Sequence, residues 1–379
     1  MTYDAIIAGG GPAGASCAAF CAREGLRVLV LERAVFPREK VCGDCLNPEC
    51  WPVFERLGVA DKVRALPHTH LRTIEFISLH GRRVQLPLPD GLRGEIAVKR
   101  SLLDALLLEN AARAGAEIKQ PAAVTQVRRL PGIATEEPAG ASRFAVQAQD
   151  AEPVGARFLV AADGRNSLVA RLTGLASDRP ARTATASSPN RVGLQTHIPC
   201  PADFGPTVQM RWFADGYGGL APVGGGELNI SLAGPNRALA GLKQWAVAEF
   251  AIAAGTAWRT IAPLDRWTAR AAASTDGVFL LGDAARVVEP FTGEGIYYAL
   301  RSGELAAQAI IRAIRQDCPG SSAALEYQAA HARMYRGRLW VNRLARAAVL
   351  HPRLASVAVE AACWQPGILR HLTRKVVAG

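Results

Sequence analysis

With 379 residues, 49% of them hydrophobic and 20% charged, the chain reads as a soluble globular protein able to bury a core in two interleaved domains. No apolar run is long and charge-free enough to be read as a membrane span. The net charge of +11 comes from 44 Lys and Arg against 33 acids, but the basic residues are dispersed. No aromatic-interleaved platform or zinc-finger spacing accompanies them, which argues against nucleic acid. A field of this sign suits a phosphorylated cofactor, an acidic carrier protein or an anionic membrane surface.

Met1 and Thr2 lead directly into the apolar stretch Asp4 to Ala8, which reads as a buried strand rather than a signal peptide. A cytoplasmic, reducing location follows as the expectation, with the eight cysteines as thiols. The strand runs into Gly9-Gly10-Gly11-Pro12-Ala13-Gly14 and then an Ala-rich helix to Glu24. A second strand, Arg27 to Leu31, ends at Glu32. This is a βαβ unit carrying G-x-G-x-x-G at Gly9, Gly11 and Gly14, directly between strand and helix. The first glycine permits the tight turn, the second lets backbone approach a pyrophosphate, and the third lets helix and strand pack closely. The helix N-terminus offers free N–H groups to phosphate. Glu32 closes the second strand, where an acid can bind ribose hydroxyls, so the site suits FAD or NAD rather than NADP.

Beyond it, Phe36 to about Pro52 is rich in Cys, Pro and charge and reads as a loop leading to a short helix. Thr73 to Leu86 alternates as antiparallel strands do. Ser101 to Ala114 predicts a helix with Ser101 as its cap, Asp104 at the third helical position and Gly115 as its stop. Ala122 to Arg129 and Phe144 to Gln149 read as strands joined by the Pro/Gly-rich surface stretch Leu130 to Ala141. Arg157 to Ala162 is a buried strand ending at Asp163-Gly164. From Gly193 to Leu232, short alternating runs predict an antiparallel sheet roofing a substrate site, with a helix over Leu239 to Ala253. Gly277 to Leu281 returns to the first domain, Gly295 to Arg315 is a long helix, and a helical portion follows.

Several segments together resemble the FAD-dependent family that includes aromatic hydroxylases, flavin halogenases and geranylgeranyl reductases, over roughly residues 4 to 315. Arg100, within Val98-Lys99-Arg100-Ser101-Leu102-Leu103-Asp104, resembles the arginine that contacts the flavin region. Asp163-Gly164-Arg165-Asn166-Ser167 resembles the D-G-x-x-S segment near FAD and any reducing nicotinamide. Gly282-Asp283-Ala284-Ala285 resembles G-D-A-A, whose aspartate contacts the ribityl or pyrophosphate part. Pro290 and Gly293-Glu294-Gly295-Ile296 resemble the loop and helix start beneath the isoalloxazine, where a helix N-terminus stabilises the anionic reduced flavin. Pro12 and Ala13 in the first turn, Arg33, Arg38 and Val124 complete the expected cofactor set.

Phe36-Pro37-Arg38-Glu39-Lys40-Val41-Cys42-Gly43-Asp44 resembles the K-x-C-G segment of geranylgeranyl reductases, with Cys45 where that branch has glycine. Gly43 would let the chain approach the flavin, and Cys42 would be a polarizable neighbour or a proton donor. Cys42, Cys45 and Cys50 form C-x-x-C-x4-C, readable as packed thiols, a reactive dithiol, or zinc ligands completed by His68 or His70; no metal is assigned. His197 is expected to face a substrate, and Trp212, Phe213, Tyr217 and Phe291 are pocket candidates. The Gly-rich Tyr217 to Ile230 resembles the family's substrate-side hairpin. From Arg333 to Gly379 there are nine Arg or Lys against one acid; this portion could cap the cavity, dock a carrier, touch a bilayer or simply pack as helices.

The expected architecture is α/β. A Rossmann-like FAD-binding domain (1–70, 95–175, 270–318) interleaves with a second domain on a mixed or antiparallel sheet (71–94, 176–269), followed by a helical portion (319–379). The resemblance implies an FAD-dependent oxidoreductase that reduces a C=C bond in a prenyl, quinone-chain or polyketide-like substrate. Monooxygenation, halogenation and a non-catalytic flavin- or lipid-binding carrier stand as alternatives. No second G-x-G-x-x-G occurs, so electrons are expected from transiently bound NADPH or NADH or from a separate flavin reductase. Halogenation is ranked low because no lysine can be placed on a hypohalite route.

Overall fold

The computed structural model describes residues 2–130, 142–176, 191–264, 268–317 and 319–377. The stretch expected as a surface connection, Leu130 to Ala141, falls almost wholly outside them.

Among the described residues, three sheets carry the fold. The first runs β8 (Glu117–Lys119), β2 (Val28–Leu31), β1 (Thr2–Ala8), β11 (Val154–Ala161), β10 (Phe144–Ala148) and β9 (Val124–Arg129), with β17 (Val278–Leu280) also beside β11. β8, β2, β1, β11 and β17 pair in parallel, while β9 and β10 form an antiparallel extension. β10 and β17 share one edge of β11, the former at Val154 to Ala156 and the latter at Leu159 to Ala161. Strict alternation explains why these strands are apolar throughout. Ile7, Val30 and Val160 enter one core, and Ile6, Leu29 and Leu159 enter another on the opposite face.

The second sheet runs β16 (Arg259–Ile261), β12 (Arg191–Pro199), β15 (Glu227–Pro235), β14 (Gly216–Gly224), β13 (Thr207–Phe213), β5 (Thr73–Ile77) and β6 (Arg83–Pro87). It is antiparallel except where β5 meets β13 in parallel. Its outer face, with Leu228, Ile230 and Leu232, is covered by α6 (Leu239–Glu249). The expected helix therefore ends four residues early, at Glu249. A third, small sheet of β3 (Cys45–Leu46), β7 (Ile96–Val98) and β4 (His68–His70) is antiparallel throughout.

Helices complete the frame: α1 (Pro12–Arg23), α2 (Cys50–Arg56), α3 (Ala60–Ala65), α4 (Arg100–Arg113), α5 (Leu168–Leu172), α7 (Gly295–Arg315), α8 (Gly320–Met334), α9 (Leu339–Leu350), α10 (Pro352–Ala362) and α11 (Gly367–Val377). The closest packing joins α1 to α7. A Cβ on Gly303 would stand 2.4 Å from the Ala13 carbonyl oxygen, and Ser16 Oγ donates to the Leu300 carbonyl at 3.0 Å. Only glycine allows that approach.

One expected cap is corrected. α4 starts at Arg100 with Lys99 as its N-cap and no side-chain cap, so Ser101 sits inside the first turn. Asp104 does not serve the helix end; it accepts two bonds from the Arg100 guanidinium, both at 2.8 Å, because a buried arginine needs a buried partner.

Candidate active site

The first glycine turn is held by contacts that exclude any larger residue. Gly9 has φ of +103°, and a Cβ there would meet the Ala162 oxygen at 2.4 Å; a Cβ on Gly14 would meet the Gly9 oxygen at 1.9 Å. Glu32 is buried, and its carboxylate accepts from Gly10 N at 2.7 Å and Ala34 N at 2.9 Å. It therefore ties the turn to the end of β2 while its remaining lone pairs stay available to a ligand. Arg38 lies over the turn: its Nη2 is 3.6 Å from where a Gly11 Cβ would be, and Nη1 pairs with Asp104 at 3.1 Å. Asp104, fully buried, thus serves both Arg38 and Arg100, a role its expected capping position concealed.

A cavity of about 530 Å³ opens beside this turn. Gly11, Pro12 and Ala13 line it together with Cys42, Gly43 and Arg100. So do Gly164, Gly282 and Asp283, and Pro290, Gly293, Gly295 and Ile296. Segments spread over the whole chain therefore meet on one wall. Gly9, Gly14, Glu32, Arg33, Arg38, Val124 and Asp163 do not line it. Arg33 is exposed, and Val124 opens β9 two residues beyond Ala122, whose N–H donates to the Glu32 carbonyl at 2.7 Å. Asp163 is divided in its use: Oδ2 accepts from Leu168 N and Val169 N at 2.7 and 3.2 Å and so caps α5, while Oδ1 is buried with no partner among the described residues. That orphaned oxygen, beside Gly164 on the wall, is the kind of acceptor a cofactor hydroxyl would satisfy.

The loop before α7 is clamped from behind. Glu289, fully buried, takes both Arg191 guanidinium nitrogens at 3.1 and 2.9 Å. Glu294, also buried, accepts from Tyr298 Oη at 3.0 Å, Arg338 Nη1 at 3.0 Å and Asn342 Nδ2 at 2.8 Å. Burial pushes its carboxyl up, and Arg338 acts against that shift. Between these anchors Gly293 adopts φ of +70°, and the open N-terminus of α7 follows. Such a terminus favours negative charge.

The Cys42 segment is fixed by residues that sequence reasoning did not join to it. The Cys42 carbonyl accepts from Gln195 Nε2 at 2.6 Å, Asn229 Nδ2 at 2.8 Å and Ser231 Oγ at 3.3 Å. Asp44, fully buried and with φ of +60°, accepts from His197 Nε2 at 2.7 Å and from Asn229 Nδ2. This corrects the expectation for His197. Its side chain does not line the cavity but is buried against Asp44, so it positions the loop instead of facing a substrate. The only signal available was the alternation of β12 and β15, and the Gln195, Thr196 and His197 partners Ser231, Ile230 and Asn229 emerge only from the register.

Burial pushes up the thiol of Cys42, opposed by the nearby Arg100, and also raises Cys45 and Cys50. Among the described residues no group of three His, Cys, Asp or Glu side chains is placed to hold a metal ion, and Cys42, Cys45 and Cys50 are free thiols, with Cys50 buried. Lys40 lines the cavity; burial lowers its pKa, and Arg100 adds to that effect.

The other half of the cavity is apolar. Phe76, Met210, Trp212 and Tyr217 line it with Phe291, whose ring stands 5.4 Å from both Trp212 and Tyr217. Phe213 is turned to the other face, against Trp245. Val341, Leu344, Ala348, Val359 and Leu372 close the far side. One carboxyl on this wall was not foreseen. Glu95, just before β7, lines the cavity with no hydrogen-bond partner for its side chain among the described residues, and burial pushes its pKa up to about 7. No motif marks it, since it sits in the Gly94-Glu95-Ile96 turn into a three-residue strand.

A parallel sheet with a glycine turn at the head of its first helix, an acid at the end of the second strand and an apolar chamber beside them defines a two-layered dinucleotide flavoprotein site. The chain belongs to the FAD binding domain family, whose model matches residues 2–201. It is an FAD-dependent oxidoreductase. It is 31% identical over 327 residues to a menaquinone reductase of Mycolicibacterium smegmatis, covering 80% of this chain and 75% of that protein. It is 32% identical over 344 residues to a geranylgeranyl diphosphate reductase of Rhodobacter capsulatus, covering 84% and 78%. The structure of a flavin-dependent brominase superposes with a TM-score of 0.78 at 19% identity, over 99% of this chain and 93% of that one, which is likeness of fold.

Proposed function

We propose that the protein reduces a carbon–carbon double bond in a hydrophobic substrate bearing a prenyl or similar chain. NADPH or NADH, bound transiently, or a separate flavin reductase supplies the electrons. The observation that carries this reading is the single cavity that is lined at one end by the cofactor turn and at the other by Trp212, Val359 and Leu372. The two reductases at 31% and 32% identity support the same chemistry.

Bound FAD, when reduced, supplies hydride; the remaining work belongs to the chain. Gly11, Gly164, Gly282 and Gly293 let backbone approach the cofactor, and the α7 N-terminus favours its anionic state. The apolar wall orients the chain of the substrate and excludes water. Saturation of a double bond needs one proton besides the hydride. The Glu95 carboxyl holds one near neutrality, because its raised pKa leaves it partly protonated where an ordinary glutamate is ionised.

The test is anaerobic. Reduced enzyme is mixed with a prenylated quinone and flavin absorbance is followed. Reoxidation without oxygen, with saturation of one double bond per flavin, is the expected result. Reoxidation only in air, with one oxygen consumed per product, would make it a monooxygenase. Halide-dependent product formation would instead assign Lys40 a halogenase role. Binding without reoxidation in either condition would make it a carrier.

A further inference from the structure

Helix α10 carries two neighbouring apolar stripes, one buried and one exposed, with Arg353, Ser356 and Glu360 on its remaining face. Ala355, Val359 and Ala362 are buried and pack towards β5, β6 and β13. Leu354 and Val357 are 69% and 63% exposed, Ala358 and Ala361 are exposed beside them, and Trp364, just past the helix, is 86% exposed. Their spacing places them on one outer stripe. An apolar stripe turned to solvent beside a buried one is surface that a partner or a bilayer would cover. Neighbouring α9 repeats the pattern with Trp340, 41% exposed, Leu344, 48% exposed, and Ala347.

Two residues of these stripes have a second property. Leu344 and Ala358 are exposed and also line the apolar cavity. The cavity mouth therefore lies at the exposed apolar surface. Arg343, Arg353 and Arg370, on α9, α10 and α11, are exposed as well. The single acid among nine basic residues from Arg333 onward, Glu360, is engaged by His80 at 2.7 Å and Ser356 at 3.2 Å.

We propose that α9 and α10 dock on an anionic phospholipid bilayer, with Leu354, Val357 and Trp364 in the interface and the arginines on the headgroups, so that an apolar substrate enters the cavity from the membrane. Among the described residues no helix is long and apolar enough to cross a membrane, so this contact is peripheral. The charge pattern selects this occupant. A second copy using the same face would bring two patches carrying Arg343, Arg353 and Arg370 together, like charge against like, whereas anionic headgroups complement them. The docking surface stands independently of the reaction; only the entry route rests on the reductase reading.

The experiment is co-sedimentation of FAD-loaded protein with sucrose-filled vesicles of phosphatidylcholine alone or with 30% phosphatidylglycerol (about that fraction suffices for a negative surface), with no substrate present. Wild type is expected to pellet with the anionic vesicles and to be released by salt. L354E/V357E, at exposed positions outside the cavity, should lose binding at least about tenfold, since two charges replace buried apolar contacts. R343Q, R353Q and R370Q should each weaken it about fivefold and only on anionic vesicles. Circular dichroism and retained FAD absorbance confirm that the variants are folded. Wild type that stays in the supernatant with both lipids, or L354E/V357E that pellets like wild type, overturns the proposal. So does a dimer in sedimentation equilibrium that L354E/V357E dissociates while neither protein binds vesicles. Failure of the reductase reading would leave all of these results unchanged.

Discussion

Asn342 holds Glu294 from across the chain: its Nδ2 donates to Glu294 Oε2 at 2.8 Å, while its Oδ1 accepts from Glu289 N at 3.0 Å. One buried side chain on α9 thus ties both ends of the loop that carries Pro290 and Gly293. The C-terminal helices do more than cover the cavity; they set the backbone beneath the expected flavin position.

N342A should leave a buried carboxylate oxygen and a backbone N–H short of partners, costing roughly 1–3 kcal/mol for each group left unsatisfied. The expected result is a lower melting temperature and FAD affinity weakened about tenfold, measured by fluorescence titration of the apoprotein, with each 1.4 kcal/mol worth a factor of ten. N342D should be worse than N342A, because it adds a second acid beside Glu294. An N342D protein that binds FAD like wild type would refute the clamp.

H197Q separates the positioning role of His197 from catalysis. Glutamine retains an N–H that can reach Asp44, so H197Q should keep most of the rate, while H197A should destabilise the protein by about 1–3 kcal/mol and loosen the Cys42 loop. Single-turnover flavin reoxidation and thermal melts check both. Loss of turnover in H197Q at unchanged stability would return His197 to the catalytic set.

Glu95 makes stability depend on pH with a definite sign. Its folded pKa of about 7 stands above the ordinary glutamate value of 4.5, so the unfolded chain loses its proton first. The stability it allows is therefore full below pH 4.5 and is lost as pH rises through about 7. E95Q should be more stable than wild type by roughly 2–3 kcal/mol at pH 8 and nearly equal to it at pH 4. Urea melts at the two pH values test this. On the proposed reaction, E95Q should also abolish the fall of substrate-driven reoxidation above neutral pH.

Two glycine substitutions should differ sharply. G14A drives a methyl to 1.9 Å from the Gly9 oxygen and should abolish FAD retention, whereas a Cβ on Gly295 meets nothing within 4 Å. G295A should therefore fold and melt within about 1 kcal/mol of wild type. Any change in its flavin redox behaviour then reports on the ligand side alone. Absorbance at the flavin maximum and melting curves give both answers.

The first βαβ unit was legible because its constraints are local. Positive φ at Gly9, alternation in β1 and β2, and an acid at a strand end are all written within about thirty neighbouring residues. The same holds for the boundaries of α7, while the second sheet was legible only as alternating runs over 73–86 and 193–232, without β16. Ser101 was misread as a cap because capping residues are common, and the true determinant, a buried Arg100 seeking Asp104, depends on what covers the helix. His197 was misassigned for a related reason: alternation tells which residues share a face, not what the face meets.

Local chemistry alone determined the nucleotide turn and the α/β class, since each rests on backbone geometry or short-range periodicity, whereas the landmark segments were read from their resemblance to the family. Only the tertiary structure decided that Asp44 meets His197 and Asn229, that Glu95 stands on the cavity wall without a side-chain hydrogen-bond partner among the described residues, and that α9 holds the loop before α7. These contacts join residues far apart in the chain. Sheet register and helix packing select them, and burial then changes the chemistry of the groups they enclose.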